Sequence, residues 1–83
     1  MLDREIRGVP LWQIREYLEE LGGRVLDDMN VQGEGWKANL EQIEDFQIGS
    51  LVVGQVRVLI EGDEPTLAAL EPRLDDKLIR AGG

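Results

Sequence analysis

The chain has 83 residues, 17 acidic against 9 basic side chains, and a formal net charge of −8. That balance repels nucleic-acid phosphates and anionic membrane surfaces, and no apolar run is long enough to span a bilayer. With neither Cys nor His, the chain offers no disulfide, no thiolate chemistry, no usual zinc, copper or iron ligand, and no imidazole base.

One domain is expected at this length, close to the smallest size at which a core holds without staples. Met1-Leu2-Asp3-Arg4-Glu5 does not read as a signal-peptide start. The expectation is therefore a soluble, cytoplasmic domain without cofactor or metal. It would meet a protein partner, not nucleic acid or membrane.

Leu2 to Val9 alternates roughly and reads as a short strand. Pro10 suits a first helical turn, where its missing N–H costs nothing. Leu11, Ile14, Leu18 and Leu21 then share one face at helical spacing, with Tyr17 beside them. Gly22-Gly23 stops that helix, because glycine adopts the left-handed cap conformation without steric cost.

From Arg24 to Gly62 the pattern is strand-like. Val25-Leu26 opens a strand, and Asn30 to Gly35 reads as its turn. Trp36, Ala38 and Leu40 alternate with Lys37, Asn39 and Glu41, as in a strand with one wet face. Glu44-Asp45 reads as the next turn. Phe46 to Val53 and Gln55 to Glu61 follow, and Gly54 is either a tight turn between two strands or a bulge in one.

Asp63 is placed to cap a last helix, with Glu64 at its positive end. Leu67, Leu70, Leu74 and Leu78 hold one apolar stripe through Pro72. An interior proline costs about 3 kcal/mol or more, so a kink or break is expected near Glu71. The sum is an α+β layer: an antiparallel sheet of four to five strands, with two helices on one face.

Pro10-Leu11-Trp12, Tyr17-Leu18-Glu19-Glu20 and Gly22-Gly23, followed by Ile48-Gly49-Ser50-Leu51, Gln55-Val56-Arg57-Val58 and Glu61-Gly62, resemble the C-terminal domain of MoaD-related proteins. The resemblance covers the chain from about Val9 onward. It implies a TBP-like fold and a neighbourhood of molybdopterin biosynthesis or sulfur transfer. In those proteins a ubiquitin-like sulfur-carrier half precedes this domain. Nothing in these residues reads as that half, so its activity does not carry over, and the resembling domain brings no site residues to map.

Among candidate sites, Gly82-Gly83 stands out, because sulfur carriers end in a side-chain-free Gly-Gly whose carboxylate is adenylated and thiolated. A helix terminus explains the same residues, and the strand order does not match a β-grasp carrier. Asp27, Asp28, Asn30, Gln32 and Gly33 alternate like a calcium loop, but its final bidentate position would be Asn39, so an acidic hairpin turn is the better reading.

Ser50 and Thr66 lack any activating histidine. The paired carboxylates (Glu44-Asp45, Glu61 with Asp63-Glu64, Asp75-Asp76) fall at turns or on a polar helix side, where nothing raises a pKa for acid catalysis. Trp36 and Trp12 are the candidate contact residues. With Tyr17 and Phe46 they could line a pocket between the sheet and the helices, although core packing is the better reading for such large side chains. Trp12, off its helix's apolar stripe, is the best candidate for contact. The expected function is a non-enzymatic binding or accessory module. The alternatives are a carrier acting through Gly83 or a small-ligand binder. Pairing of two copies through a sheet edge is a further expectation.

Overall fold

The computed structural model describes residues 1–82, the last two through their backbone. Strand β1 (Leu2–Arg7) leads to helix α1 (Leu11–Glu20). Four strands follow, β2 (Arg24–Asp27), β3 (Asn30–Gly33), β4 (Trp36–Ile48) and β5 (Leu51–Gly62), and helix α2 (Glu64–Gly82) closes the order. The strands form one antiparallel sheet in the order β1-β5-β4-β3-β2. This is the α+β class and the strand count that the sequence predicts.

Alternation decides which way each strand faces. Ile6, Val31, Ala38, Leu40, Val56, Val58 and Ile60 are buried on one face of the sheet. Ile14, Leu18 and Leu21 of α1, and Leu67, Leu70 and Leu74 of α2, close the core over them. At about 1.5–3 kcal/mol for each fully buried aliphatic side chain, this layer is the main stabilising term. Leu11, Tyr17 and Leu78 pack at its margin. The open face carries Asp3, Glu5, Lys37, Asn39, Glu41 and Arg57, with Arg57 forked onto Asp3 at 2.8 and 3.1 Å. The middle of that face is therefore charged.

Helix α1 starts after Pro10, which is extended at the N-cap, and stops in a Schellman motif. Gly23 N–H donates to the Leu18 carbonyl and Gly22 N–H to the Glu19 carbonyl, with Gly22 at φ +103°. Only glycine adopts that conformation at no cost. The predicted stop is therefore the observed one.

Three local expectations change. Asn30–Gly33 is a strand, not a turn; the turns lie on either side, at Asp28-Met29 and Glu34-Gly35. Gly33 is needed there because a Cβ would fall inside the Trp36 ring. Glu44-Asp45 is not a turn either. Strand β4 runs on to Ile48, and Gly49, at φ +61°, makes the turn with Ser50. Ile43 pairs with Gln55 and Phe46 with Val53, so Glu44 and Asp45 together oppose Gly54. The bulge sits on β4, and Gly54 is the residue facing it.

The third change is α2, which is continuous through Pro72 without a break. Ala68, whose carbonyl loses its N–H partner at Pro72, is exposed, as is Pro72 itself. Water can satisfy that carbonyl, so the helix tolerates the proline on its wet side. Arg4 ties β1 to α2, 3.4 Å from Glu71 and 2.7 Å from Asp75 Oδ1. The Asp75 contact is off the N–H axis, leaving that oxygen without a directed hydrogen bond. Lys77 reaches Glu20 at 2.7 Å and joins the two helices.

Candidate functional site

The two tryptophans have opposite roles. Trp36 opens β4 and is only 7% exposed. Its ring lies in a slot made by glycines: a Cβ on Gly23 would come within 2.7 Å of it, and one on Gly33 would overlap it. Trp36 is thus a core residue first.

One edge of Trp36 does reach a cleft of about 500 Å³ between the end of α1, the β3–β4 turn and α2. Leu21 and Leu70 form its floor, and Glu34, Thr66 and Arg73 bring polar groups to it. Neither Glu34 nor Arg73 makes an ion pair among the described residues. A volume of this order suits a small molecule, but the cleft presents one charge of each sign.

Trp12 is 57% exposed on the outer side of α1. It lines a second recess, about 370 Å³, with Arg15, Glu16, Glu19 and Val25. This groove lies between α1 and β2, the edge strand. All four residues of β2 are exposed. Leu26 is the residue bulged out of its pairing with β3, since Val25 faces Val31 and Asp27 faces Asn30. Arg15 Nη1 donates to the Asp28 carbonyl at 2.9 Å and fixes the helix against the β2–β3 turn. Trp12 and Trp36 therefore line separate recesses.

The turn beside the groove is acidic but self-satisfied. Asp27 accepts from Met29 N–H at 2.8 Å and from the Asn30 side chain at 2.9 Å. Those bonds, led by the Met29 N–H, hold the Asp27 carboxyl below its ordinary 3.8. Among the described residues no group of three acidic side chains is arranged to hold a metal.

Gly82 closes α2, whereas Gly83 lies outside the described residues. Sequence reasoning missed the exposed Val25 beside Trp12, and the exposed Leu26 and Met29 that follow it. Their signal was the apolar pair in a strand too short to have two neighbours. It also missed the apolar end of the β4–β5 hairpin, where Ile48, Leu51 and Val52 are more than half exposed.

The frame is thus an α+β sheet-and-helix domain whose recesses lie at its surface. Residues 2–83 match the family model of the archaeal MoaD-like protein, and the chain belongs to that family. The MoaD-related resemblance read from the α1 and β5 blocks is thereby shown, and with it an association with molybdopterin or sulfur-carrier-like proteins. No curated protein matches the chain. No helix is long and apolar enough to cross a membrane among the described residues.

Proposed function

We propose that this protein is a non-enzymatic accessory module that docks a protein partner of molybdopterin or sulfur-transfer chemistry in the groove between α1 and β2. The observation that carries the reading is Trp12, exposed on α1 beside an edge strand whose outer side is unpaired. An aromatic anchor next to a free strand edge suits recognition by strand addition, in which main-chain bonds give affinity and side-chain pockets give selectivity. Net charge favours a partner that is neutral or basic at this surface.

The test replaces Trp12 with a photo-crosslinking amino acid in the native host. The expected result is an adduct with a protein of the sulfur-transfer or molybdopterin machinery, absent when the probe stands at Asn39 on the open face. Adducts that are the same at both positions, or none, overturn the proposal. The carrier reading rests on Gly82-Gly83, and the inclusion of Gly82 in α2 weighs against a threading tail. An intact mass showing one oxygen-to-sulfur exchange at Gly83 would restore it.

A further inference from the structure

The β4–β5 hairpin outruns the rest of the sheet. Strand β1 covers β5 only from Gln55 to Ile60, with one more bond from Gly8 N–H to the Gly54 carbonyl. Strand β3 covers β4 only from Trp36 to Asn39, and the Leu40 N–H bonds to Met29. Residues 43–54 therefore form an arm with both edges open, on a molecule measuring 41 × 24 × 20 Å.

Pairing fixes what the arm presents. Ile43 pairs with Gln55, Phe46 with Val53 and Ile48 with Leu51. The bulge puts all three pairs on the open side of the sheet, together with Arg7, which pairs with Gln55 and stacks on Phe46 at 3.6 Å. The result is an apolar strip of Ile43, Phe46, Val53, Ile48 and Leu51 on one side of the arm. Val52 and Gln47 point to the other side.

Charge identifies the occupant. In a chain that is 31% charged, Phe46 to Val56 carries no charged side chain. The outer sides of both helices and the open face over β1 carry exposed carboxylates, Glu16, Glu19, Asp76, Asp3 and Glu5 among them, that would repel a second copy. The part of the arm beyond Glu44 and Asp45 is where two molecules of charge −8 can touch without opposing carboxylates. A strip running along a two-stranded arm is also self-complementary when the arms cross antiparallel, as a two-fold axis requires.

We infer that two copies of this chain associate through their β4–β5 arms, apolar strip against apolar strip. Face-to-face packing leaves the arms about 10 Å apart. An arm this short buries less than the roughly 800 Å² per partner of a standard interface. The association is therefore weak and reversible.

Sedimentation equilibrium of the full chain gives the first readout. The expected mass rises from 9.3 kDa toward twice that with concentration, and more readily in high salt, where repulsion is screened. Leu51→Asp should hold the protein at 9.3 kDa. Since Leu51 is exposed at the tip, its circular dichroism should be unchanged. The chain has no cysteine, so single cysteines give a second readout. Val53→Cys should be linked into a covalent dimer by a short bis-maleimide that bridges the gap between the packed arms, and Val52→Cys on the opposite side should not. A monomer at every concentration up to about 1 mM, whether or not the arm then binds vesicles or a host protein, overturns the inference. So does a dimer that Leu51→Asp leaves intact, or equal cross-linking at both positions.

Discussion

The side-chain amide of Gln55 donates to the Glu44 carbonyl at 3.0 Å, across the bulge of β4. Gln55 is the only polar side chain buried among the described residues, and its Oε1 also accepts from Arg7 Nε at 2.9 Å. Gln42 completes the arrangement by donating to the Gln55 carbonyl at 2.9 Å. One glutamine thus fixes the root of the arm to β1 and to both of its own strands.

Replacing Gln55 with Leu should remove both side-chain bonds while keeping the volume. A cost of about 1–3 kcal/mol is expected, read from urea denaturation. Hydrogen exchange at residues 43–46 should quicken more than in the core of β4, since the bulge loses its staple.

Two strand glycines should respond in opposite directions to alanine. Gly33→Ala drives a methyl into the Trp36 ring, and overpacking of that kind costs about 1–3 kcal/mol or more. A red shift of the tryptophan emission should accompany it. Gly54→Ala meets nothing within 4 Å and should be neutral or stabilising by about 0.5 kcal/mol. Thermal unfolding of the two variants side by side measures the contrast.

Pro72→Ala should stabilise the chain. Alanine restores the N–H that the Ala68 carbonyl lacks, and proline is about 3 kcal/mol less favourable than alanine inside a helix. Water on the exposed Ala68 side and the freer unfolded chain reduce that gain. An increase of about 1–2 kcal/mol in denaturant-derived stability is expected.

Acid should act through Asp27. Its folded pKa is lowered from 3.8 by the Met29 N–H and the Asn30 side chain. Above 3.8 both folded and unfolded forms are ionised, and the stabilisation is complete. Below 3.8 the unfolded chain takes up its proton first, so the contribution is lost as pH falls toward the folded value. Asp3, lowered by the hydrogen bond from Arg57, acts with the same sign. The denaturation midpoint of Asp27→Asn should fall less steeply below pH 3.8 than that of the parent.

Both helices were legible because their signals are local. The leucine stripes repeat at 3.6 residues, and Gly22-Gly23 is a stop that requires no partner. The hairpins were less so. Gly33 reads as a turn glycine, but its cause is a tryptophan three residues later that needs a side-chain-free strand beneath it. Glu44-Asp45 reads as a turn because two acids rarely sit mid-strand, yet a bulge on an exposed edge accommodates both.

Gly54 was ambiguous because its role is defined by residues on the neighbouring strand. For the sites, Trp12 was legible as an off-stripe aromatic. Trp36 was legible as a core residue, with a pocket wall left open, because periodicity shows that it points inward, not how tightly it is held.

The sheet order also sets a schedule for folding. Strands β2 to β5 are joined by tight turns, so each pairs with its predecessor across a few residues. Strand β1 instead pairs Leu2 with Ile60 and Arg7 with Gln55, the most distant strand pairing in the sheet. Closing that loop carries the largest entropic cost. During synthesis the amino terminus must wait, unpaired, until β5 has emerged. Pulse-labelled hydrogen exchange should find the β1 amides protected last. Until then β5 is itself an uncovered edge, its partner already made but not yet in place.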